Sequence, residues 1–211
     1  MERSRITKFV DSLRKIPDGE YVYEMNLDKY LQPWGFTIYR TYYGSGSDQQ
    51  WEKLLVNITN GVKDRLRAHG GSKEDPAMIT KAEELFKLDA RSDPAVLDSL
   101  ALEDVRQFYH ERTGGQPMNT DKGPWRVFIL VDAEVLANPE LDIIKCVAAD
   151  YDAAACVPKN SFFGPQRYFG WLRVASKHVL TLWFELEIYD LEQIGNHTAG
   201  GPGAWWDPED C

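Results

Sequence analysis

The run WRVFILVD at positions 125–132 constrains the fold more than any other stretch of the chain. Its centre is continuously apolar, so a strand formed by it has two apolar faces and no side to turn toward water. Such a strand belongs in the interior of a sheet, between neighbouring strands. The runs at 142–152 and 167–174, together with the aromatic and β-branched stretch Phe36–Tyr43, predict those neighbours.

The clearest helix pattern follows the predicted strand at Phe36–Tyr43. Apolar residues recur there at helical spacing and form one stripe, made of Trp51, Leu54, Leu55, Ile58, Val62 and Leu66. Ser47 precedes this stripe and Gln50 follows three residues later, which predicts a capping box at the helix start. Gly70 and Gly71 provide a stop signal.

Weaker patterns predict three more helices, at 4–15, from Asp75-Pro76 and at 100–112. The first and last carry an apolar face, and the second opens with an aspartate N-cap before proline, a start signal that Asp93-Pro94 repeats. After Ser176 the pattern fits either a strand or a helix, and we favour the helix. The tail at 195–211 is rich in Gly and Pro, so we expect irregular structure there.

The predicted order is a strand, three helices, three strands and a final helix, which is typical of the α+β class. We expect a mostly antiparallel sheet of about four to five strands with helices packed on one face. A ferredoxin-like arrangement with a helical insertion is the leading topology. Residues 1–194 are predicted to form a single domain, followed by the tail at 195–211.

The charge balance and the cysteine count exclude several classes of protein. The net charge is −9, from 33 acidic and 24 basic side chains, and the basic residues are scattered. A nucleic acid would therefore be repelled. No window approaches the length of a membrane span, and the first residues lack the apolar core of a signal peptide. Three cysteines without a paired motif argue against a disulfide framework. We expect a soluble, reduced, cytoplasmic protein without nucleic-acid or membrane partners.

The glycine-rich corner Gly44–Ser47 resembles an anion site, because free N–H groups at a helix start attract negative charge. Its sequence GSGSDQQ is neither a P-loop nor a dinucleotide fingerprint. Asp48 would place its own negative charge where an anion would bind. The corner is therefore interpreted as a connection from strand to helix rather than as a phosphate site.

His110 and Asp150 are the candidate proton carriers. His110 lies near the end of a predicted helix, where it could act as a general base or simply interact with the helix dipole. The dipole role is the favoured alternative. The four histidines show no metal-ligand spacing and the chain has no CxxC, so we expect neither a metal nor a cofactor.

Four acidic residues, Asp132, Glu134, Asp150 and Asp152, follow two predicted strands. Carboxylates are the ligands that Mg²⁺ prefers, so these residues form a weak candidate for a magnesium site. Solvated acids at strand ends explain them more simply, and no metal site is predicted.

The stretch FFGPQRYFGWLR at 162–173 holds five aromatic residues and two arginines. This composition is typical of anion recognition and of protein interfaces, although a core strand with an aromatic face carries more weight. One hypothesis is a small-molecule site between the sheet and the helices. Its proposed members are His110 and Asp150 as proton carriers, with Arg40, Tyr42, Tyr151, Arg167, Tyr168 and Trp171 contacting the ligand. Arg167 would bind an anion, and acid–base chemistry without a cofactor would follow.

The second hypothesis is a non-catalytic interaction domain, such as a homodimer joined through an exposed sheet face. The lack of a catalytic motif favours it, as does the pair Trp205-Trp206 in the Gly/Pro-rich tail. The candidate partners are therefore a small-molecule ligand or a second copy of the chain.

Four blocks of sequence, GFTIYRTYYGSGSDQQWEKLL, LEDVRQFYHE, PWRVFILVD and GPQRYFGWLRV, resemble in this order a family of ascomycete fungal proteins. The resemblance runs over most of residues 34–194. It implies a compact single domain in a fungal intracellular setting. It implies no activity, cofactor or catalytic residue, because none is assigned to that family.

Overall fold

The computed structural model describes residues 4–20, 24–69, 75–121, 126–156, 168–196, 205–206 and 208. Its strands are β1 (Trp34–Arg40), β2 (Phe86–Arg91), β3 (Val127–Val131), β4 (Ile143–Ala148), β5 (Trp171–Ala175) and β6 (Trp205–Trp206). They form one sheet in the order β2-β1-β3-β4-β5-β6. β1 pairs in parallel with β2 and β3, β4 is antiparallel to β3 and β5, and β6 is parallel to β5. The α+β class is confirmed, but the sheet is mixed rather than mostly antiparallel.

The helices are α1 (Arg5–Ser12), α2 (Ser47–His69), α3 (Pro76–Leu85), α4 (Pro94–Leu97), α5 (Leu102–Glu111), α6 (Ala133–Ala137), α7 (Ala153–Cys156), α8 (Val179–Glu185) and α9 (Leu191–Asn196). Short 3₁₀ helices occupy Glu24–Tyr30 and Ser176–His178. The helices predicted from the sequence correspond to α1, α2, α3, α5 and α8, and the start signal noted at Asp93-Pro94 opens the short helix α4. Asp75 and Asp93 cap α3 and α4, as their position before proline predicts.

The sheet buries both of its faces. On the first face Trp34, Phe36 and Ile38 of β1 pack against apolar residues of α1, α2, α3 and α8. On the second face Tyr39 and residues of β3 and β4 pack against α4 and α5. The prediction of helices on one face was wrong, because the connection from β2 to β3 runs through α4 and α5 on the second face. All five residues of β3 are buried, which is what its two apolar faces require.

Strand β2 was not predicted, because the helical pattern of α3 continues into Phe86. The structure ends α3 at Leu85, and Phe86 turns to extended geometry, where its ring packs 4.8 Å from that of Trp34. The residues after it are polar, so pairing with β1 rather than intrinsic preference makes this segment a strand. The parallel pairing of β1 and β2 as direct neighbours does not confirm a ferredoxin-like topology, in which another strand separates the two.

The ends of the parallel strands define two sides of the sheet, named the amino edge and the carboxyl edge. The amino edge is where β1, β2 and β3 begin, and the carboxyl edge is where they end. Since β4 is antiparallel to β3, it finishes at the amino edge, and β5 starts there. In the tail, Trp205 and Trp206 form β6 beside β5, and Trp206 is buried, so the expectation of an irregular tail was wrong for these two residues.

Candidate functional site

His110 lies in the last turn of α5 and reaches the amino edge. Its Nε2 is 2.9 Å from the backbone oxygen of Ala149. A carbonyl oxygen only accepts hydrogen bonds, so this contact requires the proton to sit on Nε2. In the neutral ring Nδ1 is then the basic nitrogen. The contact therefore fixes which nitrogen of His110 can accept a proton.

Asp150 completes this group together with Arg126, which precedes β3. Asp150 Oδ1 lies 3.7 Å from His110 Nε2, and Arg126 Nε donates to Asp150 Oδ2 at 2.7 Å. All three side chains keep about a third or more of their surface in solvent, so solvent weakens their electrostatic interactions. The structure brings the two predicted proton carriers together. Sequence reasoning missed Arg126, although its position next to the buried strand was a usable signal.

Tyr151 and Tyr168 also lie at the amino edge, where they contact each other and Arg106. Their rings meet edge to face at 5.6 Å, and Arg106 lies 5.0 Å from the centre of the Tyr151 ring. The guanidinium of Arg106 also donates to the backbone oxygens of Ala148 and Gly170, each at 3.1 Å. Burial lowers the pKa of Arg106. These contacts make Arg106 a clamp between the end of β4 and the start of β5. Tyr151 and Tyr168, which were predicted to contact a ligand, pack beside this clamp.

Trp171 packs against a partly buried charge network on the second face. Lys145 Nζ and the Arg173 guanidinium lie 5.1 and 5.0 Å from the centre of its indole. Lys145 donates to Asp132 and pairs with Glu134, each at 2.6 Å, and Arg173 Nε donates to Glu134 at 2.8 Å. Burial alone would raise the pKa of Glu134, but the hydrogen bonds from Lys145 and Arg173 outweigh it and lower the pKa. The indole therefore covers a charge-balanced network.

Arg40 lies at the carboxyl edge, far along the strands from His110. It is almost fully buried and donates to Tyr42 O, Ser47 Oγ and Asp48 Oδ1 at 2.9, 2.7 and 2.6 Å. The Ser47 hydroxyl accepts from Arg40 and donates to the oxygen of Gly44, so it does not form the predicted capping box. The chain's own groups fill this corner, which favours its interpretation as a connection.

The predicted substrate-binding set is therefore divided. Arg40 and Tyr42 lie at the carboxyl edge, whereas His110, Asp150, Tyr151 and Tyr168 lie at the amino edge. Trp171 begins β5 at the amino edge, where it is half-buried on the second face. Arg167 lies outside the described residues.

The acids considered for magnesium are divided in the same way. Asp132 and Glu134 follow β3 at the carboxyl edge, and Asp150 and Asp152 follow β4 at the amino edge. Within the described part of the chain, no group of three or more His, Cys, Asp or Glu residues has the arrangement of a metal site. Asp152 instead caps a backbone N–H of α7.

A cleft of about 360 Å³ opens at the amino edge beside the start of β1. Its lining combines apolar residues with side-chain amides and hydroxyls. The apolar residues are Leu13, Pro33, Pro117, Met118 and Trp183, and the uncharged polar ones are Ser12, Gln32, Gln116, Asn119 and Thr120. Lys15 and Asp121 pair with each other in its wall. Of the predicted site residues that the structure describes, none lines this cleft.

The loop at 116–121 forms one wall of the cleft and is fixed to the sheet. The backbone N–H of Met118 donates to Thr37 Oγ1 at 2.8 Å, and the Asn119 amide donates to the oxygen of Gly35 at 2.7 Å. Asn119 has φ +65°, a left-handed conformation that asparagine tolerates better than most residues. This wall is therefore held in one conformation before any ligand arrives.

Tyr109 connects the cleft to the His110 group. Its hydroxyl donates to the oxygen of Met118 at 2.8 Å, and its ring lies 6.0 Å from that of His110. Burial raises the pKa of Tyr109 well above its ordinary value, so the hydroxyl stays protonated and keeps this donor role. The cleft and the His110 group therefore lie next to each other at the amino edge.

The comparisons with known proteins leave the site to be interpreted from its geometry. No protein-family model matches the chain, and neither a curated protein nor a solved structure is similar to it. The resemblance to ascomycete fungal proteins therefore stays a prediction. No helix within the described ranges has the length and apolar character needed to cross a membrane.

Proposed function

We propose that the protein binds a small, uncharged, polar molecule in the amino-edge cleft. The observation that carries the proposal is a cavity of about 360 Å³ with one wall anchored to the sheet by hydrogen bonds. This volume falls at the lower end of the range of small-molecule sites. A wall that is already ordered loses little conformational entropy when a ligand binds.

The chemistry of the lining favours a ligand rich in hydroxyl or amide groups. Gln32, Gln116 and Asn119 each carry a side-chain amide. One N–H of each already donates within the protein, to Tyr30 O, Thr120 Oγ1 and Gly35 O respectively, so the amide oxygen and the second N–H are the groups offered to a ligand. The charged residues of the lining, Lys15 and Asp121, neutralise each other, so neither a strong anion nor a strong cation is favoured. Trp183 supplies an apolar surface for a ring or carbon chain.

Acid–base chemistry at His110 is the second candidate function, and it matches the sequence hypothesis of a cofactor-independent enzyme. The observation that favours it is the contact between Nε2 and Ala149 O, which leaves Nδ1 as the basic nitrogen. Asp150 Oδ1 lies 3.7 Å from the same Nε2. His110 does not line the cleft, so binding and proton transfer are separate proposals.

Ligand binding is tested by thermal denaturation in the presence of a library of uncharged sugars, polyols and small amides. A ligand that binds only the folded state raises the melting temperature. We expect Thr120→Val to weaken the apparent affinity for an active compound about tenfold, because a hydroxyl of the lining is lost. The compound then raises the melting temperature of the variant by less. Thr59→Val is the matched control, since Thr59 lies on α2 and bonds only to Leu55 O among the described residues. The proposal fails if no compound stabilises the protein or if both variants weaken binding equally.

The state of His110 is tested by nitrogen-15 NMR of the imidazole ring. In the neutral ring, we expect the signals of a tautomer protonated on Nε2. An Asp150→Asn variant should retain that tautomer, because the carbonyl of Ala149 is still present. A ring protonated on Nδ1 would contradict the assignment of the basic nitrogen.

A further inference from the structure

The outer edge of β2 is an unpaired strand edge among the described residues. Within the described ranges, β2 is the terminal strand of the sheet and pairs only with β1. Leu88 and Ala90 make no backbone hydrogen bond to a described residue on the outer side. Strand edges of this kind are templates for pairing with another strand.

The direction of the backbone groups in β2 is set by its contact with Gly35. The carbonyl oxygen of Lys87 lies so close to Gly35 that a Cβ there would collide with it. Lys87 therefore points its peptide groups at β1. Because successive residues of a strand alternate, the backbone groups of Phe86, Leu88 and Ala90 point outward.

This alternation limits how two copies of β2 can pair in an antiparallel manner. Outward-pointing residues must face one another, so Leu88 lies opposite Leu88, Phe86 or Ala90 of the other copy. With Leu88 opposite Leu88, Lys87 faces Asp89 in two symmetric pairs. A shift in one direction places Lys87 opposite Lys87, and a shift in the other places Asp89 opposite Asp89. Only the first register avoids like charges.

The side chains of Lys87 and Asp89 are suited to that register. Lys87 is exposed and makes no hydrogen bond or ion pair to a described residue. Asp89 accepts hydrogen bonds from Thr37 and Arg91, all of them on Oδ2. Its Oδ1 accepts none from a described residue. One unused cation and one unused carboxylate oxygen would therefore meet in each pair.

We propose that two copies of the chain associate through antiparallel pairing of their β2 edges, with Leu88 on the twofold axis. Leu88 exchanges two backbone hydrogen bonds with its counterpart, and Ala90 N–H donates to Phe86 O of the other copy on each side. The N–H of Phe86 is excluded, because it already donates to Glu83 O. This places the homodimer contact on the sheet edge rather than on an exposed sheet face.

The first test is sedimentation equilibrium of the full chain over a range of concentrations. We expect a monomer–dimer equilibrium that Lys87→Glu weakens about tenfold, because two opposite-charge pairs become like-charge pairs. Lys53→Glu is the matched control, since it makes the same change of charge on an exposed position of α2. A protein that is monomeric at every concentration overturns the proposal. So does a dimer that both variants affect equally.

The second test reads the register by disulfide formation in a chain whose Cys156 and Cys211 are replaced by serine. Leu88→Cys places two thiols opposite each other within the span of a disulfide, so a crosslinked dimer should form under mild oxidation. Ala90→Cys keeps the thiols several residues apart, and we expect little crosslinking. Equal crosslinking of the two variants, or none in either, would contradict this register. Neither test depends on ligand binding at the cleft.

Discussion

At the carboxyl edge of the sheet the cations Arg40 and Lys145 are buried against carboxylates, whereas at the amino edge the ion pair of Arg126 and Asp150 remains partly in solvent. Arg40 donates to three acceptors and Lys145 to two carboxylates, and both are almost completely buried. At the amino edge, Arg126 and Asp150 form a pair that is about one-third exposed. The cleft of about 360 Å³ lies on that side as well.

This difference is unexpected for a sheet with parallel strands. In open sheets, ligands usually bind at the carboxyl ends of the strands, where connections leave toward opposite faces. Here the corresponding position lies between β1 and β3, and the chain's own ion pairs occupy it. The comparison teaches that the free volume, rather than the strand direction, identifies the candidate site in this molecule.

The largest expected effect comes from disturbing the packing behind the amino edge. Gly170 has φ +79°, and a Cβ there would collide with Tyr151 and Arg106. We expect Gly170→Ala to lower the free energy of unfolding by about 3 kcal/mol, from overpacking and a left-handed backbone together. Urea denaturation measures this loss.

Gly46→Ala is the matched control for this prediction. Gly46 has φ +77°, and no heavy atom would lie within 4 Å of an added Cβ. Only the backbone cost applies there, so we expect a loss of about 1 kcal/mol. Equal losses at the two positions would show that the Arg106 clamp is not tightly packed.

The next largest effect compares one ion pair from each edge. Lys145→Met leaves Asp132 and Glu134 without their shared cation, and we expect a loss of about 2 kcal/mol. This value lies below that for a fully buried pair, because both carboxylates keep some solvent contact. Arg126→Met removes an exposed pair and should cost less than about 0.5 kcal/mol. Urea denaturation of both variants checks the ratio, and similar losses would remove the contrast between the two edges.

The smallest effect concerns the pH dependence of stability. The folded state lowers the pKa of Glu134 below its ordinary value of 4.5, mainly through Lys145 and Arg173, against the opposing effect of burial. The stability from this group is therefore complete above pH 4.5 and is lost as the pH falls through the folded pKa. We expect Glu134→Gln to flatten the loss of stability below that pH, measured by urea denaturation at several acidic pH values. Glu84→Gln, on an exposed position of α3, is the control, and an equal flattening there would contradict the assignment.

The sequence predicted the elements whose patterns are long or chemically distinct. The stripe of α2, the Asp-Pro starts of α3 and α4 and the fully apolar β3 all appear where they were expected. The layer arrangement was only partly predicted. A strand with two apolar faces already implies helices on both sides of the sheet. The prediction of helices on one face did not take this into account.

The candidate site was less predictable than the fold. His110 and Asp150 were identified by residue type, and the packing of α5 against β3 and β4 brings them together. The cleft was missed, because its amides come from separate segments that only the fold assembles. Arg40 and Tyr42 were misplaced because strand direction, which decides the edge a residue reaches, cannot be read from composition.

The most direct test of the central claim is NMR chemical-shift mapping with the compound that most raises the melting temperature. We expect the side-chain amide signals of Gln32, Gln116 and Asn119 to shift, with those of Asn57 unchanged. Shifts confined to Tyr42, Ser47 and Asp48 would contradict the claim, because they would place the ligand at the carboxyl edge instead.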